Sequence, residues 1–408
     1  MKQEILAPAG DFEKLKYAIE YGADAVYMAG KEFGMRKASS NFSQEEFIKA
    51  VKYAHDRNAK VYITANILAH NEMMAKVPEY FEFLSDIKVD SIIIGDIGLL
   101  PFAKKYAPKT DIHISTQTSI VNYESAKMWH ELGAKRVVLA RELSFEEIAE
   151  IRAKTDKDLE LEAFVHGAMC MSYSGRCLIS NYLTGRDANQ GECAQPCRWK
   201  YSVVEETRPN EYMPIEQDEH GTYLFNSKDL CTIDYIPELV KSGIDSFKIE
   251  GRAKTAYYAA GITSAYKKAL TAYLKDPENY VLPQSCKDEI MKVSHRNYFT
   301  GFYHGRQDTS EFYEGAHYIR EWDIIGLLVS CDDEGNAVFS QKNRFYKGDM
   351  VELVQPNQEP YAFEIDEMKN EKDEIIDVAQ HATMIFKLKL PFKAHEFAIL
   401  RRPRKQED

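Results

Sequence analysis

One repeat constrains this chain more than any other feature. Over the first 165 residues, short β-branched runs alternate with helical stretches at a period of roughly 25 to 30 residues. The runs fall at 4–8, 24–30, 60–66, 91–96, 111–117, 136–142 and 159–167. The stretches between them, such as FEKLKYAIEYG and FEEIAEIRAK, carry apolar residues at three- and four-residue spacing, which predicts helices packing one face on a sheet. Asp11, Ser43 and Ser144 stand in N-cap position before three of them. Strands that are almost wholly apolar and joined by helices imply a parallel sheet covered on both faces. YLFNSKDL (223–230) and SFKIEGR (246–252) extend the count to eight or nine βα units. That favours an α/β fold of the closed (β/α)8 TIM-like barrel type over an open doubly wound sheet, whose glycine-rich phosphate loop is missing from the first turn, APAGD.

After the helical stretch AYYAAGITSAYKKALTAYLK the repeat stops, and short strands such as IIGLLVS, DMVELV and EFAILRR take over, separated by turns such as DDEGN. We therefore expect a barrel over 1–285 that includes a cysteine-rich insertion at 168–222, a connecting segment at 286–320, and a small C-terminal β-barrel at 321–405. The tail RRPRKQED reads as frayed. Two or three domains suit 408 residues at roughly 150 per domain.

With 44% hydrophobic and 28% charged residues, the chain has the balance of a globular enzyme, not of a disordered or fibrous protein. No run of about 18 apolar residues predicts a membrane span. Glu4 and Asp11 stand where a secretion signal needs apolar residues, so a cytoplasmic location with no membrane partner is expected. A net charge of −12 argues against a general DNA-coating protein. It leaves RNA open, because a local basic patch can hold phosphates on an acidic protein.

Seven cysteines in such a chain do not make a disulfide framework. Four of them, Cys170, Cys177, Cys193 and Cys197, fall in one segment with the spacing C-x6-C-x15-C-x3-C. The segment is rich in glycine and small polar residues, which let backbone wrap closely around an inorganic centre and aim amide N–H groups at sulfide. Structural zinc usually shows paired knuckles, and only Cys193 and Cys197 approach that, so a 4Fe-4S cluster fits the spacing better. Inert reduced thiols are the third reading. Cys231, after NSKDL, ranks as a reserve ligand below the four.

LAPAGD, ADAVY-x-x-G, STQ, LARELS, the cysteine segment, NSKDL and SFKIEGR together resemble the collagenase-like peptidase family U32 over nearly the whole chain. The resemblance is nearest to the branch that makes 5-hydroxyuridine at the wobble position of tRNA. It implies prephenate as oxygen donor and an iron–sulfur cluster. The family's other name, peptidase, finds no motif here: HELGA at 130–134 ends in Ala134 where a zinc site needs a second histidine, and no GxSxG elbow occurs. His166 lies near Cys170 in sequence, but a nucleophile among three other clustered cysteines reads better as a ligand.

In a barrel, reactive groups belong at the C-terminal strand ends. Prephenate, a small dicarboxylate, calls for bidentate arginine forks, which nominates Arg141, Arg176 and Arg252; ion pairs of Arg141 with Glu142 or Arg252 with Glu250 are the plain alternative. Glu250 and His166 complete the expected catalytic set, His166 as a proton donor beside the cluster, with a satisfied structural histidine as its plain alternative, while Lys248 is equally able to face the helices. For tRNA, the basic and aromatic runs are Arg198-Trp199-Lys200-Tyr201 and Arg344-Phe345-Tyr346-Lys347, with Arg401, Arg402, Arg404 and Lys405 at the end. The expected activity is iron–sulfur, prephenate-dependent tRNA hydroxylation, with a paralogous protein as a possible partner. The alternatives are a U32-type peptidase and a non-catalytic iron–sulfur scaffold acting with a partner.

Overall fold

The computed structural model describes residues 3–35, 41–170, 177–199, 217–218, 221–222, 228–305, 318–381 and 383–405. Eight parallel strands form the barrel: β1 (Glu4–Pro8), β2 (Ala25–Met28), β3 (Lys60–Ala65), β4 (Ser91–Ile94), β5 (Asp111–Ile114), β6 (Arg136–Val138), β7 (Glu160–Ala168) and β8 (Ser246–Ile249). Each pairs with its successor, and β8 pairs with both β7 and β1, which closes the ring. Ser246 lies opposite Glu4 on one side and Glu162 on the other. The expected (β/α)8 barrel is thus the observed one.

The helices start where the sequence marks them. Asp11 accepts from the amide of Lys14, and Ser43 and Ser144 form reciprocal capping boxes with Glu46 and Glu147. The run at 223–230 is not a barrel stave, however. Its described end, Asp229–Cys231, lies antiparallel on β7, with Leu230 opposite Gly167, and pairs outward with Tyr298–Phe299. Its direction has a simple cause: the chain re-enters from an insertion at the top of β7, so it runs down beside that strand, and only the following helix returns it for β8.

The barrel interior is polar toward its N-terminal end. Arg136 is buried and bonds Glu4, Glu160 and Glu162 at 2.8, 2.6 and 3.0 Å. Burial by itself would raise the Glu4 carboxyl, but the charge and hydrogen bonds of Arg136 outweigh it and hold Glu4 below its ordinary value. Outside, the helix Ala256–Lys275 packs against Gln284–Lys292, and Cys286, Ile290, Val293 and Tyr303 join the barrel's apolar core. Residue 285 therefore falls within a helix and is no structural boundary.

The C-terminal domain is an antiparallel sheet of β9 (Trp322–Cys331), β10 (Asn336–Gln341), β11 (Met350–Val354), β12 (Tyr361–Glu364), β13 (Lys369–Asn370), β14 (Ile385–Lys389) and β15 (Ile399–Pro403), ordered β12-β11-β15-β9-β10-β14-β13. Among the described residues the edge strands β12 and β13 do not pair with each other, so the ladder stays open. The sheet has its own core around Phe339, Phe345 and Phe386. The start of the tail does not fray: residues 401–403 belong to β15, and Arg401 and Arg402 are buried. Arg401 joins Glu352 of this domain to Glu289 and Tyr257 of the barrel, and Lys292 reaches the same Glu352 at 2.9 Å. Two chemically opposite partners on each side fix how the domains sit.

Candidate active site at the barrel mouth

A cavity of about 180 Å³ lies at the C-terminal ends of the strands. Its floor is β-strand side chains: Tyr27 from β2, Ile93 from β4, Phe164 from β7 and Lys248 from β8. Asn66, Gln117, Arg141, Glu250 and Arg252 enter from the segments just past the strands, and the insertion roofs it with Cys170, Cys177, Cys193 and Cys197. The four cysteines that sequence spacing grouped are thus brought to one wall of one cavity.

Close backbone approach makes this possible. Gly167, at the top of β7, has φ +108°, and a Cβ there would stand 2.3 Å from the carbonyl oxygen of Glu250. Only glycine tolerates both conditions. In the insertion, Gly185 and Gly191 take left-handed conformations, as does Gln195, whose amide donates to Cys193 Sγ at 3.4 Å. Amide-to-sulfur hydrogen bonds are the kind that tune cluster-bound thiolates. No three of the four sulfurs lie within 4.8 Å of one another among the described residues. Four thiols on one cavity, with a backbone amide aimed at one of them, are a donor set that fits a metal–sulfur centre.

Three cations converge under that roof. Arg141 donates from Nη1 to the Ala168 carbonyl at 2.8 Å and meets Glu250 at 3.5 Å, with its guanidinium 3.8 Å over the Phe164 ring. The ion pair joins strands β6 and β8, and neither sequence-adjacent pairing foresaw it. Arg252 donates to the carbonyl of Met35. Lys248 faces inward, settling the choice left open by sequence: its ammonium contacts Glu162 at 2.6 Å and lies 4.6 Å over the Tyr27 ring. Among the described residues Arg141, Lys248 and Arg252 on the lining stand against Glu250 on the lining and Glu162 behind Lys248, an excess of one positive charge. Asn66 bonds Ser115 at 3.3 Å, and Gln117 Nε2 is buried with no hydrogen-bond partner among the described residues. Lys248, Asn66 and Gln117 were outside the catalytic set expected from sequence, although Asn66 and Gln117 close the runs at 60–66 and 111–117, where strand-end chemistry belongs.

Three expectations are corrected. His166 does not face the cavity; it is buried in a cage of Tyr258, Tyr266 and Tyr298. Burial, against the opposing Asp229 carboxylate, pushes its imidazole down to about 3, so it is neutral and structural. Strict alternation would put His166 on the inward face with Phe164, but the register of β7 against β8 slips by one residue between Lys248–Phe164 and Ile249–His166, and this bulge turns His166 away from the cavity. Phe345 lies in the β-domain core, edge-on to Phe386, and cannot stack on a base. Arg401 and Arg402 serve buried ion pairs instead of phosphates. Arg344, Lys347 and Trp199 are exposed. Arg176 and Lys200 lie outside the described residues, as does the Arg198 side chain. Cys231 does not line the cavity, and burial raises its thiol to about 11.

Fold and site together define a (β/α)8-barrel protein with a thiol-roofed, cationic cavity at the face where barrel enzymes carry their chemistry. The chain belongs to peptidase family U32: that family's pattern matches residues 10–312, and the Peptidase family U32 C-terminal domain matches 320–401. It is 40% identical over 403 residues to tRNA hydroxylation protein P1 of Bacillus subtilis, covering 98% of this chain and 95% of that one. It is 35% identical over 309 residues to tRNA hydroxylation protein P2 of the same organism, covering 74% and 97%. It is also similar to the 23S rRNA 5-hydroxycytidine C2501 synthase of Escherichia coli, 36% identical over 273 residues, 67% of this chain and 40% of that one. No helix among the described residues is long and apolar enough to cross a membrane.

Proposed function

We propose that this chain hydroxylates tRNA, converting the wobble uridine to 5-hydroxyuridine with prephenate as oxygen donor, in the cytoplasm. Cys170, Cys177, Cys193 and Cys197 would hold a 4Fe-4S cluster, which supplies an electron-transferring or Lewis-acidic iron site when bound. The observation that carries the reading is the meeting of these four thiols with Arg141, Lys248 and Arg252 on one small cavity. The relatives named for tRNA and rRNA hydroxylation support it from the side of the target.

The chain's own residues have separable tasks. Arg141 and Arg252 present guanidinium groups that suit the carboxylates of a small dicarboxylic acid. Gln117 Nε2 and Asn66 offer amides to the polar edge of a base lifted out of its stack, and Phe164 and Tyr27 exclude water around it. A paralogous partner would assemble outside this cavity. Proteolysis has less support, because no histidine lines the cavity among the described residues to activate a thiol. The test is mass spectrometry of tRNA nucleosides from cells lacking the gene and from cells complemented with it. Loss and recovery of 5-hydroxyuridine is expected, and an unchanged nucleoside profile overturns the proposal.

A further inference from the structure

An open groove lies outside the site just described. It runs between the barrel and the β domain and encloses about 690 Å³. Among the described residues its charged lining is Lys14, Lys254, Arg320 and Lys342 against one acid, Glu13, in a chain whose overall charge is −12. Lys14 and Arg320 keep carboxylate neighbours, Asp11 at 3.0 Å and Asp323 at 2.7 Å. Lys254 and Lys342 form no ion pair among the described residues. The Lys254 ammonium sits instead 4.4 Å over the half-exposed ring of Tyr318 and 5.3 Å over that of Tyr258, and Trp322 continues the aromatic wall. Cations interleaved with rings are the lining that grips a nucleic-acid backbone and steadies unpaired bases.

Position adds to chemistry. Arg252 lines the barrel cavity and Lys254 the groove, so their Cα atoms are at most about 7.6 Å apart, two peptide steps. That is on the scale of one nucleotide. The groove's two walls belong to different domains, and the buried Arg401 network holds them in register.

We propose that this groove is the tRNA track, binding phosphates of the strand beside the nucleotide that enters the cavity. The proposal rests on the tRNA-modifying reading above and names the surface that reading needs. It also shifts the main contact from the Arg344–Lys347 turn to the inner side of the same loop, where Lys342 and Asn343 line the groove.

The test measures binding of unmodified tRNA by the full-length protein across a salt series. It compares the pair Lys254→Glu with Lys342→Glu, a milder pair Lys254→Gln with Lys342→Gln, and a control pair Lys105→Glu with Lys109→Glu at exposed positions before β5. Both groove pairs should weaken tRNA binding, the Glu pair by tenfold or more. The slope of log affinity against log salt should shrink by about two, one for each lost cation. The control pair, with the same charge change, should shift binding by less than about threefold. Equal weakening by groove and control pairs, or wild-type affinity in the groove variants, overturns the groove while leaving the hydroxylation reading standing. A wild-type protein that binds no tRNA, with 5-hydroxyuridine unaffected by gene loss, overturns both.

Discussion

The guanidinium of Arg141 stands 3.5 Å from the carboxylate of Glu250, held from behind by the Ala168 carbonyl at 2.8 Å. The pairing is long, and Arg141 Nε is buried with no hydrogen-bond partner among the described residues. A saturated structural pair would leave no such donor, so the group is anchored yet retains capacity for an anion. Arg141→Lys keeps the charge but loses the fork and cannot span both anchors. Charge-assisted hydrogen bonds contribute about 1.5–3 kcal/mol each, so 5-hydroxyuridine formation should fall roughly tenfold to a hundredfold. The far-UV circular dichroism and the visible absorbance of the variant should match wild type. Undiminished modification would return Arg141 to a purely structural role.

The second prediction separates the roof cysteines from the others. Cys286 is buried on the helix Gln284–Lys292, Cys331 lies on β9, and Cys231 meets Tyr266 of the tyrosine cage. Replacing any of Cys170, Cys177, Cys193 or Cys197 by Ala should abolish bound iron and the broad absorbance at about 400 nm in anaerobically purified protein, whereas the same change at Cys231, Cys286 or Cys331 should leave both. Iron analysis that ranks Cys231→Ala with the four would move the centre away from the cavity.

The barrel was legible because its signal is repetitive: seven apolar runs recurring with a helical stretch between each, with Ser43 and Ser144 marking helix starts through local hydrogen bonds. The eighth stave was ambiguous because 223–230 and 246–252 are alike in composition, and only the direction of chain entry distinguishes them. The cysteines were legible from spacing alone. Depth was not: Phe345 and Arg401 sit in runs that look like solvated basic loops, yet one fills the β-domain core and the other joins two domains. Burial of that kind depends on partners such as Phe386 and Glu289, far away in sequence. Lys248 escaped for the same reason, since its inward aim is set by Glu162 on a neighbouring strand.

Three buried histidines make acid sensitivity predictable. His113, His166 and His295 all have imidazoles lowered by burial, His166 to about 3. Below the unfolded value of ~6.5, the unfolded chain binds protons that the folded chain does not. Stability therefore holds above that pH and declines as pH falls toward 3. His166 alone should remove about 2–3 kcal/mol between pH 6.5 and about 4.5, at ~1.4 kcal/mol per unit. Urea midpoints measured through this range should drop steadily, and the slope should be shallower in His166→Gln. An equally steep decline in that variant would assign the sensitivity to other groups.

The last prediction concerns the turn that lets β7 pass into the thiol-bearing roof. Gly167 combines a φ of +108° with a backbone neighbour, so alanine there meets two penalties. The left-handed conformation costs roughly 1–2 kcal/mol, and a Cβ placed 2.3 Å from the Glu250 carbonyl oxygen must push that peptide away. Gly185 isolates the first penalty, since its φ is +71° and nothing lies within 4 Å of the Cβ position. Gly185→Ala should therefore lower stability by about 1 kcal/mol, and Gly167→Ala by about 3 kcal/mol or more, read as separate thermal midpoints. The displaced peptide belongs to Glu250, whose side chain meets Arg141, so Gly167→Ala should also lower tRNA modification in protein that remains folded. Equal midpoints for the two alanine variants would mean that β7 and the segment after β8 do not approach as closely as the structure has them.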